Sequence, residues 1–140
     1  MSAEDEVRAT AERFYAALNS LVSGDAGPMA EVWSQGADAT TMHPIGGRQV
    51  GWDQVLDSGR QVAGIASGGQ VTLSDRLIRV VGDAAYELGT EHIDATFAGQ
   101  PVRGQARVTN VYRREAGGWR IVHHHADASP EMQSVVSRPG

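Results

Sequence analysis

The feature that most constrains this chain is a change of hydrophobic period near residue 70. Before it, apolar side chains recur three and four residues apart, as on amphipathic helices; after it they alternate in runs bounded by glycine turns, as on strands. Val7, Ala11, Phe14, Tyr15, Leu18 and Leu21 make one helical stripe over residues 4 to 23. Gly24-Asp25-Ala26-Gly27-Pro28 ends it, and Pro28 suits the first turn of a short second helix with Met29, Val32 and Trp33, closed by Gly36. A third helix runs from Trp52 to about Ala66 on Val55, Leu56, Val62 and Ile65, weakened by Gly59 and Gly64 and ended by Gly68-Gly69. The strands follow at 71–81, 84–97, 102–114 and 119–126, joined by Gly-Asp, Ala-Gly-Gln-Pro and Glu-Ala-Gly-Gly turns. They read as a four-stranded antiparallel meander.

Helices first and strands afterwards is the order of an α+β domain with helices on one face of a sheet. At 140 residues there is room for one core and one pocket. We expect a single domain over residues 1–128 and a flexible tail over 129–140, where Ser, Pro and Gly gather.

Between the second and third helices lies an extended Thr-rich run, Asp38 to His43, stopped by Pro44 and Gly46-Gly47. His43 therefore stands at a strand end before a turn, an accessible place for a side chain that titrates near neutral pH. Three more histidines, His123, His124 and His125, follow one another on the last strand. Neighbours on a strand face opposite ways, so the three cannot reach one ion. His123 and His125 share a face but lack a third ligand, and we assign no metal.

The net charge of −5, with twelve scattered Lys and Arg, offers no basic stripe for nucleic acid. Without cysteine there is no disulfide and no thiolate metal site. No apolar run reaches the roughly 18 residues of a membrane span, and the acidic start, Met1-Ser2-Ala3-Glu4-Asp5-Glu6, is unlike a signal peptide. The expectation is a cytoplasmic protein that meets neither nucleic acid nor membrane.

Arg107-Val-Thr-Asn-Val-Tyr-Arg-Arg-Glu-Ala-Gly-Gly-Trp-Arg-Ile-Val-His-His-His125 resembles the last hairpin of SnoaL-like proteins and of the calcium/calmodulin-dependent kinase II association domain. Asp38-Ala-Thr-Thr-Met-His-Pro-Ile-Gly46 resembles the ketosteroid isomerase strand that carries a catalytic base before Pro. With the element order, these strings make nearly the whole chain resemble the nuclear-transport-factor-2-like superfamily. The resemblance implies a cone-shaped α+β roll, three N-terminal helices packed on a curved, mostly antiparallel sheet. It puts His43 where isomerases hold a carboxylate, Tyr15 at the tyrosine that donates to a developing oxyanion, and Asn110 at the second oxyanion donor. It turns His124 to the pocket and His123 with His125 away. Tyr86, Leu88 and His92 fall at positions that line the pocket in relatives. Trp33, Trp52 and Trp119, on three different elements, suit core or pocket-wall fillers, and of these Trp33 is assigned to the pocket wall.

The implied activity is acid–base chemistry on a carbonyl or hydroxyl compound: isomerase, dehydratase or polyketide cyclase, without a cofactor. The substrate would be a small hydrophobic or aromatic carbonyl compound, and the outer sheet face would pair two copies in a homodimer. The same fold also serves as a non-catalytic ligand-binding or oligomerisation module. Tyr15 equally suits a core aromatic, and His43 a strand cap.

Overall fold

A computed structural model describes residues 2–136. Helix α1, Ala3–Val22, begins at a capping box: Ser2 Oγ accepts from the Asp5 amide at 3.1 Å, and the Asp5 carboxylate accepts from the Ser2 amide at 3.3 Å. Its stripe buries Val7, Ala11, Phe14, Tyr15 and Leu21, as the spacing requires. Asn19 fastens this helix to the sheet, since its amide both donates to and accepts from the Val71 backbone at 2.9 Å, as a neighbouring strand would.

One turn of helix, α2 (Met29–Val32), leads to strand β1 (Thr40–His43), strand β2 (Gly46–Val50) and helix α3 (Trp52–Ile65). Four long strands follow: β3 (Ala66–Val81), β4 (Ala84–Phe97), β5 (Gln100–Glu115) and β6 (Gly118–Ala126). With β1 and β2 they form one curved six-stranded sheet in the order β2-β1-β6-β5-β4-β3. All neighbours are antiparallel except β1 and β6, which run parallel. The helices pack on its inner face, an α+β architecture as the order of periods implies. No helix among the described residues is long and apolar enough to cross a membrane.

Two departures from the sequence reading stand out. Gly46-Gly47, expected as the stop of the preceding run, instead open strand β2, because Gly46 and Gly47 at φ 101 and 80° fold the chain back onto β1. The expected flexible tail instead begins with helix α4 (Pro130–Val136), which buries Met132 and Val135; the rest of that expectation, residues 137–140, lies outside the described residues.

Bulges decide which side chains face inward. In β3 the pairing shifts between Ser74 and Leu77, where Asp75 takes φ 56°, and this turns Arg76 to the inner face. In β6 the pairing shifts between the partners Val111–His123 and Tyr112–Ile121. Trp119, Ile121, His124 and Ala126 all point inward, although simple alternation from Ile121 would have chosen His123.

Candidate active site

Strand β4 turns Ala85, Glu87, Glu91 and Ile93 inward. Glu87 and Glu91 are 0% and 3% exposed, so two carboxyl groups lie in the interior. Buried carboxyl groups need partners, and the neighbouring elements supply them. Tyr15 on α1 donates to Glu91 Oε2 at 3.0 Å. Asn110 on β5 donates from Nδ2 to the Tyr15 hydroxyl at 3.1 Å and to Glu87 Oε1 at 2.9 Å. Tyr112 donates to the same Glu87 oxygen at 2.7 Å, and Arg76 Nε stands 2.7 Å from Glu87 Oε2 as an ion pair that lacks hydrogen-bond alignment. His124 Nδ1 meets Asn110 Oδ1 at 2.6 Å, while its Nε2 lies 3.8 Å from Glu91 Oε2.

His43, at the end of β1, contacts Ser58 Oγ on α3 through Nε2 at 2.9 Å. Ser58 gives its single hydrogen to the Val55 carbonyl at 2.8 Å, so His43 is the donor and carries its proton on Nε2. The His43 and His124 rings are 6.5 Å apart. Beside them is a cavity of about 50 Å³, walled by Leu18, Leu21, Val62, Val71, Phe97, Met132 and other apolar residues. His43 and Glu91 are its two polar lining residues.

Burial separates these groups' protonation behaviour. Loss of solvent raises the Glu91 carboxyl from 4.5 to about 7, opposed by the Tyr15 hydrogen bond and aided by the charge of Glu87. It lowers His43 to about 4. His124 falls to about 3, through burial first and then the neighbouring His43, His123 and His125. Tyr15 and Tyr112 are pushed upward by burial and by the nearby carboxylates, so both remain neutral donors. At neutral pH both histidines are neutral and Glu91 is poised to hold or give up a proton.

The fold gathers Tyr15, His43, Asn110 and His124 into this one region. Of the four, His43 reaches the cavity wall, while Tyr15, Asn110 and His124 stand behind Glu91. The placement of Tyr86, Leu88 and His92 is corrected. Tyr86 and Leu88 are exposed on the outer face, and His92 Nε2 contacts Ser74 Oγ at 2.7 Å there. Trp33 is corrected too: it is packed edge-on against Phe14, ring centroids 6.0 Å apart, away from the cavity wall. Glu87 and Glu91 went unread although the signal existed. They share the parity of Ile93, Ala95 and Phe97, the apolar residues that set the buried face of β4. His123 and His125 share the outer face, ring centroids 6.3 Å apart, and no metal-holding group of three His, Cys, Asp or Glu occurs among the described residues.

A cone of helices on a curved sheet with a polar network at its heart defines a nuclear-transport-factor-2-like protein. The chain belongs to the SnoaL-like domain family, whose family model matches residues 7–129. Among solved structures it is similar to a protein of Streptomyces avermitilis provisionally named a dehydratase of the NTF2-like family. The identity is 27% over 90% of this chain and 95% of that one, with a TM-score of 0.79. It is also similar to a Thiobacillus denitrificans protein provisionally named a calcium/calmodulin-dependent protein kinase type II association domain, at 28% identity over 87% and 94% of the chains and a TM-score of 0.70. An NTF2-like superfamily protein of Salmonella enterica shares the fold, at 23% identity over 91% and 92% and a TM-score of 0.78. No curated protein matches the chain.

Proposed function

We propose that this protein is an acid–base enzyme for a small, largely apolar carbonyl or hydroxyl compound, of the dehydratase or isomerase type, with His43 as base and Glu91 as acid. The observation that carries the reading is an apolar cavity whose two polar lining residues are a neutral imidazole and a carboxyl group whose proton affinity is raised to about pH 7. In a dehydration, His43 takes the proton next to the carbonyl through Nδ1, since Nε2 already donates to Ser58. Glu91 gives its proton to the departing hydroxyl, so a carbon–oxygen bond breaks, a double bond forms and water leaves. An isomerisation uses the same pair, with Glu91 or His43 returning the proton at another carbon. The similarity to the Streptomyces avermitilis protein supports the dehydratase form.

Turnover of a panel of small β-hydroxy ketones and cyclic enones tests this reading. A bell-shaped pH profile is expected, falling below about 4 as His43 protonates and above about 7 as Glu91 ionises. Glu91→Gln and His43→Ala should each lower turnover by about 10²–10⁴-fold while the thermal transition persists.

A second reading, a non-catalytic ligand-binding or oligomerisation module, is favoured by the small size of the cavity, about 50 Å³. It holds if panel members bind wild type, Glu91→Gln and His43→Ala alike and none is converted.

A further inference from the structure

The interior network has a direction, and one ion pair sets it. Glu87, facing Arg76 at 2.7 Å, is a carboxylate and can only accept. Its Oε1 therefore takes hydrogens from Tyr112 at 2.7 Å and from Asn110 at 2.9 Å. That requirement turns the NH2 of Asn110 toward Glu87 and its carbonyl oxygen toward His124. An amide oxygen cannot donate, so the 2.6 Å contact has to be made by a hydrogen on His124 Nδ1. The other hydrogen of the same NH2 goes to the Tyr15 oxygen, which leaves the Tyr15 hydrogen for Glu91.

We infer that Arg76 and Glu87 are positioning residues which, through Asn110, hold His124 as the Nδ1–H tautomer with a bare Nε2 facing Glu91. Around the ring stand Phe14 from α1, His43 from β1, Asn110 from β5 and Glu91 from β4, and among the described residues the contact to Asn110, at 2.6 Å against 3.8 Å for Glu91, is the one within hydrogen-bond distance. An Nε2–H would point a donor at Glu91 and favour its carboxylate, whereas a bare nitrogen does not. The arrangement thus keeps Glu91 in the form that the proposed reaction uses, and in that sense rests on Glu91 being the acid. Both members of the ion pair were placed by local features of the chain: Arg76 by the β3 bulge, Glu87 by the parity of β4.

The test reads the tautomer directly, from the two imidazole nitrogen shifts of His124 in the full-length 15N-labelled chain at pH 7. Wild type is expected to show a protonated Nδ1 and an unprotonated Nε2. In Glu87→Gln, Arg76 holds the new amide oxygen, the NH2 turns to Asn110, the Asn110 amide reverses, and the two His124 nitrogens exchange their shifts. Arg76→Lys, which keeps the charge, should retain the wild-type pattern. An Nε2–H ring in wild type overturns the inference, even if no variant folds. So does an Nδ1–H ring that persists in a folded Glu87→Gln. No substrate enters the measurement, so a failure of the turnover panel and a failure of this inference are separate results.

Discussion

Enclosed by apolar walls, Glu91 keeps its proton up to about pH 7, where an unfolded chain would release it near 4.5. A carboxyl group with a raised folded value is fully tolerated while both states are protonated, and costs stability as pH rises through the interval. Wild type should therefore lose about 3 kcal/mol relative to Glu91→Gln between pH 4.5 and 8, measured by urea denaturation across that range. The histidines act in the opposite sense. His43 and His124, lowered from 6.5 to about 4 and about 3, contribute stability above pH 6.5 that is lost as acid protonates the unfolded chain first. Acidification from pH 6.5 to 4 should destabilise wild type more than His43→Asn, whose side chain no longer titrates; equal pH slopes for the two proteins would contradict the burial of His43.

Among the elements, α3 carries two glycines that the sequence alone counts equally against a helix, and their surroundings separate them. A methyl group at Gly64 meets nothing within 4 Å, so Gly64→Ala should stabilise the protein by about 0.5–1 kcal/mol through helix propensity. At Gly59 the same methyl would lie 2.5 Å from Met29 Sδ, because α2 packs there, and the gain should be cancelled or reversed. Gly69 on β3 is stricter. Its φ is 140°, and a Cβ would fall 2.3 Å from the Asp94 carbonyl oxygen and 2.4 Å from Ala95 Cα. Thermal denaturation of Gly69→Ala should show a loss of more than about 2 kcal/mol. Helix α4 is the other element with a testable role, since Met132 forms part of the cavity wall. Met132→Ala should widen the cavity and raise the affinity for a small apolar probe such as phenol, followed by chemical shift titration, at a cost in melting temperature.

At the scale of the whole molecule, the outer face of the sheet presents Leu77 and Leu88 paired across β3 and β4, with Tyr86 and Val111 paired across β4 and β5. Leu77, Tyr86 and Leu88 are 39, 39 and 37% exposed. We expect this face to join two copies, so light scattering should give a dimer at micromolar concentration and Leu88→Arg a monomer. The class of fold was legible from the change of period near residue 70, because burial on one face demands a spacing of 3.6 in helices and 2 in strands whatever the partner. The stripe of α1, the bounds of α3 and the meander followed from that rule alone. Local chemistry also placed His43 before its turn, and resemblance brought Tyr15, Asn110 and His124 to one region. What period could not give was phase. An alternating strand reads the same whichever face is buried: the resemblance puts Tyr86, Leu88 and His92 inside, whereas the sheet buries Glu87 and Glu91. Bulges at Asp75 and near Val122 shift the phase again, and each is set by the register in which its strand pairs with its neighbour. The sequence by itself determined α1 to α3, β1 and the four-stranded meander in their order, since these elements depend on local spacing and turn chemistry, though it did not determine β2 or α4. Only the tertiary structure decided which carboxyl groups are desolvated, which hydrogens they accept and that His43 and Glu91 share one cavity, because those properties arise from contacts between residues up to 95 positions apart in the chain.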